Sequence, residues 1–213
     1  MGRWAMLAGV LCLAVAARGE GASAPETLAV NPNGDFVSSS TLLSFGANGL
    51  PKSLLHCGRS LFAEIELRPK SSKGRSYRLP ARVGKKLSGS GVEFSDVFKD
   101  GGATIRYRLA AMLSDAGVHI AVHAEGEAEA LGDLILRIPV SLYSGETFSV
   151  DGKRHGYPKD TAKQTIVPRA AVREFVASET KGLDFRFLPD AGTEFEVRDA
   201  RQWKKDSYAL AFH

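Results

Sequence analysis

From residue 28 onward, apolar and polar positions alternate with a period of two through most of the chain, most cleanly between Thr104 and Val140. In TIRYRLAAML, Ile105, Tyr107, Leu109, Ala111 and Leu113 fall on one side and Arg106, Arg108, Ala110 and Met112 on the other, the pattern of a half-buried strand. Ser114-Asp115-Ala116-Gly117 has hairpin-turn composition, after which Val118, Ile120, Val122 and Ala124 alternate with His119, Ala121, His123 and Glu125. LGDLILRIPV then sets Leu134, Leu136, Ile138 and Val140 against Ile135 and Arg137. The three runs predict an antiparallel meander with one apolar face. Its other face carries Arg106, Arg108, His119, His123 and Arg137.

The flanking sequence predicts more strands. Thr41 to Phe45, Pro51 to His56 and Ser60 to Leu67 are separated by Asn48-Gly49 and Gly58-Arg59, where glycine tolerates positive φ. Residues 69–76 read as a polar loop, Tyr77 to Val83 as a resumed strand, and Lys85 to Gly91 as a flexible turn. GVEFSDVF is expected to pair with the Thr104 run across Lys99-Asp100-Gly101-Gly102. Glu146 to Asp151, Ala170 to Ser178, LDFRFL, Glu194 to Val197 and Ser207 to Phe212 complete the set, with KRHGYPKDTAKQT as a long polar segment between. Nothing after residue 24 sustains a 3.6-residue period over the ten or more residues of an ordinary helix. Strands recurring every 8 to 12 residues, with glycine-rich turns, predict an all-β, two-layer antiparallel β-sandwich. A closed barrel is the alternative.

The N-terminus has a different composition. Residues 1–24 contain Arg3, an apolar run from Trp4 to Ala17, and the small-x-small triplet Ala22-Ser23-Ala24, which together read as a cleaved signal peptide. The expected location is secreted or periplasmic. The apolar run is shorter than the roughly 20 residues of a spanning helix, so no membrane anchor is expected. Residues 25–213 then form one β domain, large enough to bury about 70% of its unfolded surface. Cys57 is the only cysteine in it, which excludes an internal disulfide, and it reads as a buried small apolar residue. The full chain has 28 basic and 24 acidic residues. No Lys/Arg run exceeds two, and aromatics do not interleave with the cations, so nucleic acid is not an expected partner.

Three phrases carry a resemblance: FGANGLPKSLLHCGRSLFAEIELRP, LRIPVSLYSGETFSVDGKRHGYP, and LDFRFLP with VRDARQWKKDSYALAF. Together they resemble the galactose-mutarotase-like supersandwich, the β-rich domain beside catalytic domains in secreted bacterial glycoside hydrolases and polysaccharide lyases. The resemblance spans nearly all of residues 25–213. It implies a non-catalytic accessory module whose partners are carbohydrate or a catalytic domain. The alternative it implies is a mutarotase-like sugar epimerase, or the remnant of a lyase or glycosidase.

Candidate chemistry follows from residue type. Arg106, Arg108, His119, His123 and Arg137 offer donors to sugar hydroxyls or uronate carboxylates, which suits an acidic polysaccharide. The same residues are what a solvated sheet face carries. His119 and His123, four apart on a strand, lie about 13 Å apart and cannot share an ion. No metal or other cofactor is expected, and Asp96 with Asp100 is too sparse for calcium. The 151–158 segment brings His155 and Tyr157 onto a loop. Trp203 reads either as a sugar-stacking ring or as a core or edge aromatic beside Arg201. An epimerase would need a facing acid and base, for which His119, His123 or His155 with Glu125, Glu174, Glu194 or Glu196 are the candidates; no spacing singles out a pair.

Overall fold

The computed structural model describes residues 6–7, 16–17, 27–62, 64–70, 77–100, 102–114, 117–126, 130–161, 165–178, 183–189 and 192–213. It is 62% strand and 5% helix, so the all-β class holds. The described strands form four five-stranded antiparallel sheets, and their buried side chains join one apolar cluster.

Sheet I contains Ala29–Val30, Phe36–Val37, Thr41–Phe45, Pro51–His56 and Arg59–Ser60, in sequence order. Of its two expected turns, Asn48-Gly49 is present, and the one expected at Gly58-Arg59 lies one residue earlier, at Cys57-Gly58, with Arg59 already in a strand. Gly49 has φ +83°, and its N–H bonds Gly46 O at 2.9 Å. At the next turn Cys57 and Gly58 both have positive φ (47° and 75°), as a two-residue hairpin whose twist matches its strands requires. Cys57 is therefore exposed, not buried as the sequence suggests. A position that usually takes Asn or Asp points the thiol at solvent.

Sheet II runs Gly84–Ser88, Gly91–Asp100, Ala103–Ser114 and Gly117–Gly126, with Met6–Leu7 against the last. The alternation holds residue by residue. Val92, Phe94, Ile105, Tyr107, Leu109, Ala111, Val118, Ile120 and Val122 are buried. Fully burying such side chains is worth about 1.5–3 kcal/mol each, which pins the register, because a one-residue slip would turn all of them outward. The flexible turn expected from Lys85 to Gly91 is instead largely an edge strand, Gly84–Ser88, pairing with Gly91–Ser95; all five of its residues are exposed, which is why it shows no alternation. Tyr77 to Val83, expected as a strand, has no regular structure.

Sheet III revises the predicted meander. Ala130–Pro139 does not join Gly117–Gly126 but lies between Glu64–Lys70 and Ser207–Phe212, in the order Thr165–Ala171, Glu194–Asp199, Ser207–Phe212, Ala130–Pro139, Glu64–Lys70. Arg137 therefore leaves the face of Arg106 and Arg108. Ser207–Phe212 is buried along its whole length. Tyr208, Leu210 and Phe212 face the core, while register sets Ala209 between Arg137 and Arg198, and Ala211 between Ile135 and Glu196. Small residues in this strand let the flanking charged side chains close over it.

Sheet IV holds Lys153–Gly156, Thr147–Val150, Phe175–Ser178, Leu183–Phe187 and Ala16–Ala17. Asp151-Gly152 makes its hairpin at φ 47° and 77°. The expected strand at 170–178 divides at Val172–Glu174, its halves serving sheets III and IV. Aromatic contacts link these two sheets: Phe148 to Tyr157 (4.4 Å), Tyr157 to Tyr208 (4.8 Å) and Phe175 to Phe195 (5.2 Å). Two short helical turns, Val140–Tyr143 and Ala200–Trp203, complete the described structure. No helix among the described residues is long and apolar enough to cross a membrane.

Candidate functional site

The outer face of sheet II is the largest surface on which predicted site residues meet. On Ala103–Ser114, Arg106 and Arg108 point outward and are exposed, about 7 Å apart along the strand. Arg106 is opposite Val97, Arg108 opposite Ser95, and Lys99 opposite Thr104. Lys86, opposite Glu93, lies on the same face. By register the face carries Lys86, Lys99, Arg106 and Arg108 together with Glu93, which Arg108 contacts at 2.5 Å, and Glu125, whose backbone is opposite Arg106. His119 shares the face but is opposite Met112, so four residues of strand, about 13 Å, separate it from the level of Arg108. The backbone of His123 is opposite Arg108, while its side chain lies outside the described residues.

The remaining predicted residues lie elsewhere. Arg137 is only 12% exposed and bonds Glu66 through Nε at 2.7 Å, with Glu64 at 3.5 Å, so its charge is already matched within sheet III. His155 stacks on Phe148 at 5.3 Å, and burial together with nearby Lys153 lowers its pKa. Tyr157 is fully buried among Tyr143, Phe148 and Tyr208, so it has no surface for a ligand. Burial, reinforced by those two tyrosines, pushes its phenol far above the ordinary value.

Trp203 is the reverse case: it is 54% exposed at the end of a tightly held turn. Beneath it Asp199 is completely buried, and its carboxylate accepts from Arg201 N (3.1 Å), Nε (2.9 Å) and Nη2 (2.8 Å). The same guanidinium donates to Pro158 O, Lys159 O and Asp160 O at 2.7–2.8 Å and lies 5.3 Å from the Tyr208 ring centre. Tyr208 OH also donates to Pro158 O at 2.6 Å. The hydrogen bonds to Asp199 are the main reason the Arg201 pKa is raised. Asp199 and Arg201 are framework; Trp203 projects from it.

One titratable cluster has a member the sequence did not single out. His213 Nδ1 lies 2.7 Å from Asp133 Oδ1, and its Nε2 lies 2.9 Å from Glu196 Oε1. Arg198 contacts the same Glu196 oxygen. The cluster ties Ala130–Pro139 to Glu194–Asp199 across the strand between them. Alternation could have found it, since His213 continues the outward series Ser207, Ala209 and Ala211. Its partners become visible only once those strands are known to be neighbours. Both ring nitrogens lie within hydrogen-bond distance of carboxylates, so neither is turned towards a substrate.

Compared with protein families, curated proteins and solved structures, the chain matches none. The geometry alone therefore carries the functional argument. Among the described residues no group of three or more His, Cys, Asp or Glu side chains is arranged to hold a metal ion. A surface cleft of about 260 Å³ is lined by Gly46, Asn48, Leu50, Pro51, Lys52, Glu64 and Ile65. None of the residues predicted from sequence lines it.

Proposed function

We propose that the chain is a secreted or periplasmic, non-catalytic carbohydrate-associated β-sandwich module, of the kind that accompanies glycoside hydrolases and polysaccharide lyases. Its ligand in this reading is an acidic polysaccharide, bound across the outer face of sheet II. The observation that carries it is that Lys99, Arg106 and Arg108, with Ser95 and Thr104 beside them, are exposed on one face of sheet II. Guanidinium groups spaced along a flat strand suit carboxylates repeating along an extended chain, and bidentate pairing adds direction to charge. The sheet's packed inner face fixes that spacing.

The mutarotase-like alternative requires a histidine and a carboxylate facing a common substrate atom. His213 has carboxylates within reach, but both of its nitrogens are already engaged. That favours binding over acid–base chemistry.

The test is retention of the exported protein on immobilised polygalacturonate. Arg106→Ala with Arg108→Ala should weaken retention at least tenfold, about 1.4 kcal/mol, and retention should fall with added salt because the contacts are exposed. Unchanged retention by the double variant would reject the proposed face. A clear acceleration of glucose mutarotation by the wild-type protein would reject the non-catalytic reading.

A further inference from the structure

Among the described residues Trp203 is the one aromatic in the set of exposed large apolar side chains; the others, Leu87, Val97 and Met112, all lie on sheet II. A ring that gives half its surface to water adds little to the core. Yet the turn that carries it is held by several bonds. Asp199 caps the turn, Lys204 N–H closes it onto Ala200 O and Arg201 O, and Lys205 N–H returns to Ala200 O at 3.2 Å. Ala200 is buried, and Arg201 bolts the turn to the 158–160 segment. A ring on so fixed a mount loses little freedom when a ligand covers it.

The residues around it indicate which ligand. Gln202, Lys204, Lys205 and Asp206 are all exposed. A protein-binding hot spot would need a surrounding shell that excludes water, and this neighbourhood is polar and wet. A pyranose ring has one apolar C–H face and a polar rim. Indole fits the first, and an amide with two ammonium groups, set against the single carboxylate of Asp206, fits the second, most closely when the rim bears a carboxylate.

We infer that Trp203, Gln202, Lys204 and Lys205 form a stacking subsite for one anionic sugar ring, separate from the sheet II face. The inference rests on the carbohydrate reading above and narrows it to uronate-type sugars at this corner.

In protein beginning at Pro25, Trp203 is the single tryptophan, so its fluorescence reports on the subsite directly. Titration at low salt with a short oligogalacturonate should give a saturable emission change. A neutral cello-oligosaccharide of equal length should need at least tenfold higher concentration. By calorimetry, Trp203→Ala should lose at least tenfold in affinity for oligogalacturonate and Trp203→Phe less, while Lys204→Ala with Lys205→Ala should erase the preference for the charged sugar. If retention on polygalacturonate depends on Arg106 and Arg108 while Trp203 emission stays constant at saturation, the subsite falls and the sheet-face reading stands. If emission changes with sugar but the arginine variants bind normally, the subsite stands and the sheet face falls. Equal or stronger response to a thymidine oligonucleotide would overturn the sugar assignment, and no binding of any sugar would overturn both readings.

Discussion

Replacing Arg201 by alanine tests whether the 199–208 corner is held by its guanidinium. The substitution deletes two side-chain bonds to Asp199 and three to the carbonyls of Pro158, Lys159 and Asp160. Asp199 stays behind at zero exposure, with the Arg201 N–H as its remaining donor among those bonds. Stranding one member of a buried charge pair costs about 3–5 kcal/mol. Arg201 keeps 15% of its side chain in water, which puts the expectation at the lower end, about 3 kcal/mol. For a domain of this size that corresponds to a fall of roughly 6–12 °C in Tm. Arg201→Lys keeps the charge but not the planar fork and should recover less than half of the loss. Tyr208→Phe removes the hydroxyl that donates to Pro158 O and is also hydrogen-bonded with Ser144, and should cost about 1–2 kcal/mol. Urea and thermal unfolding followed by circular dichroism, with a double-mutant cycle against Asp199→Ala, separates the pair energy from general disruption. An Arg201→Ala variant within 1 kcal/mol of wild type, or additive behaviour with Asp199→Ala, would refute the account.

Two further outcomes follow from single groups. Because the folded-state pKa of His155 lies below its ordinary value of about 6.5, the unfolded chain binds the proton more readily. His155 therefore leaves stability unchanged above that pH and lowers it as pH falls from about 6.5 through the depressed folded value; His155→Gln should flatten the Tm–pH profile in that window, and an unchanged slope would count against it. At Gly49 an added Cβ would come within 2.6 Å of Phe94 Cβ at a φ of +83°, so Gly49→Ala should cost 2 kcal/mol or more, roughly the sum of left-handed strain and overpacking. A denaturation midpoint equal to wild type would show that the hairpin relaxes freely.

The sheet II strands were legible because one buried face writes its period directly into the sequence. Their neighbours were not. Leu134, Leu136 and Ile138 have the alternation of a third meander strand, but alternation specifies a face and not a partner. Pairing to Ser207–Phe212 and Glu64–Lys70 is decided by contacts some seventy residues away along the chain. Gly84–Ser88 was missed for the opposite reason: an edge strand exposed on both sides has only backbone bonds to hold it and needs no pattern. Cys57 misled because its apolar character counts for less than its place in a turn that turns its side chain outward. Of the candidate site, Arg106 and Arg108 were placed correctly on a polar face. Tyr157 and Arg137 were drawn inward by aromatic packing and by Glu66, neither of which a local reading contains.

These placements sort the ionisable groups into two populations, and the sorting bears on function more than any single residue does. Among the described residues, charges that are buried or nearly so are matched: Asp199 by Arg201, Glu66 by Arg137, and Glu196 by Arg198 and His213. Such pairs hold neighbouring strands and turns together. Arg106, Lys204 and Lys205 are exposed instead, on backbone fixed by a packed sheet and by a capped turn. Exposed charges on a rigid frame gain little from folding, because water already solvates them. What they can supply is a fixed array of donors to an anion that arrives from solution, at low ordering cost. In the proposed reading that anion is a sugar chain, met by the cations of sheet II and by the indole of Trp203.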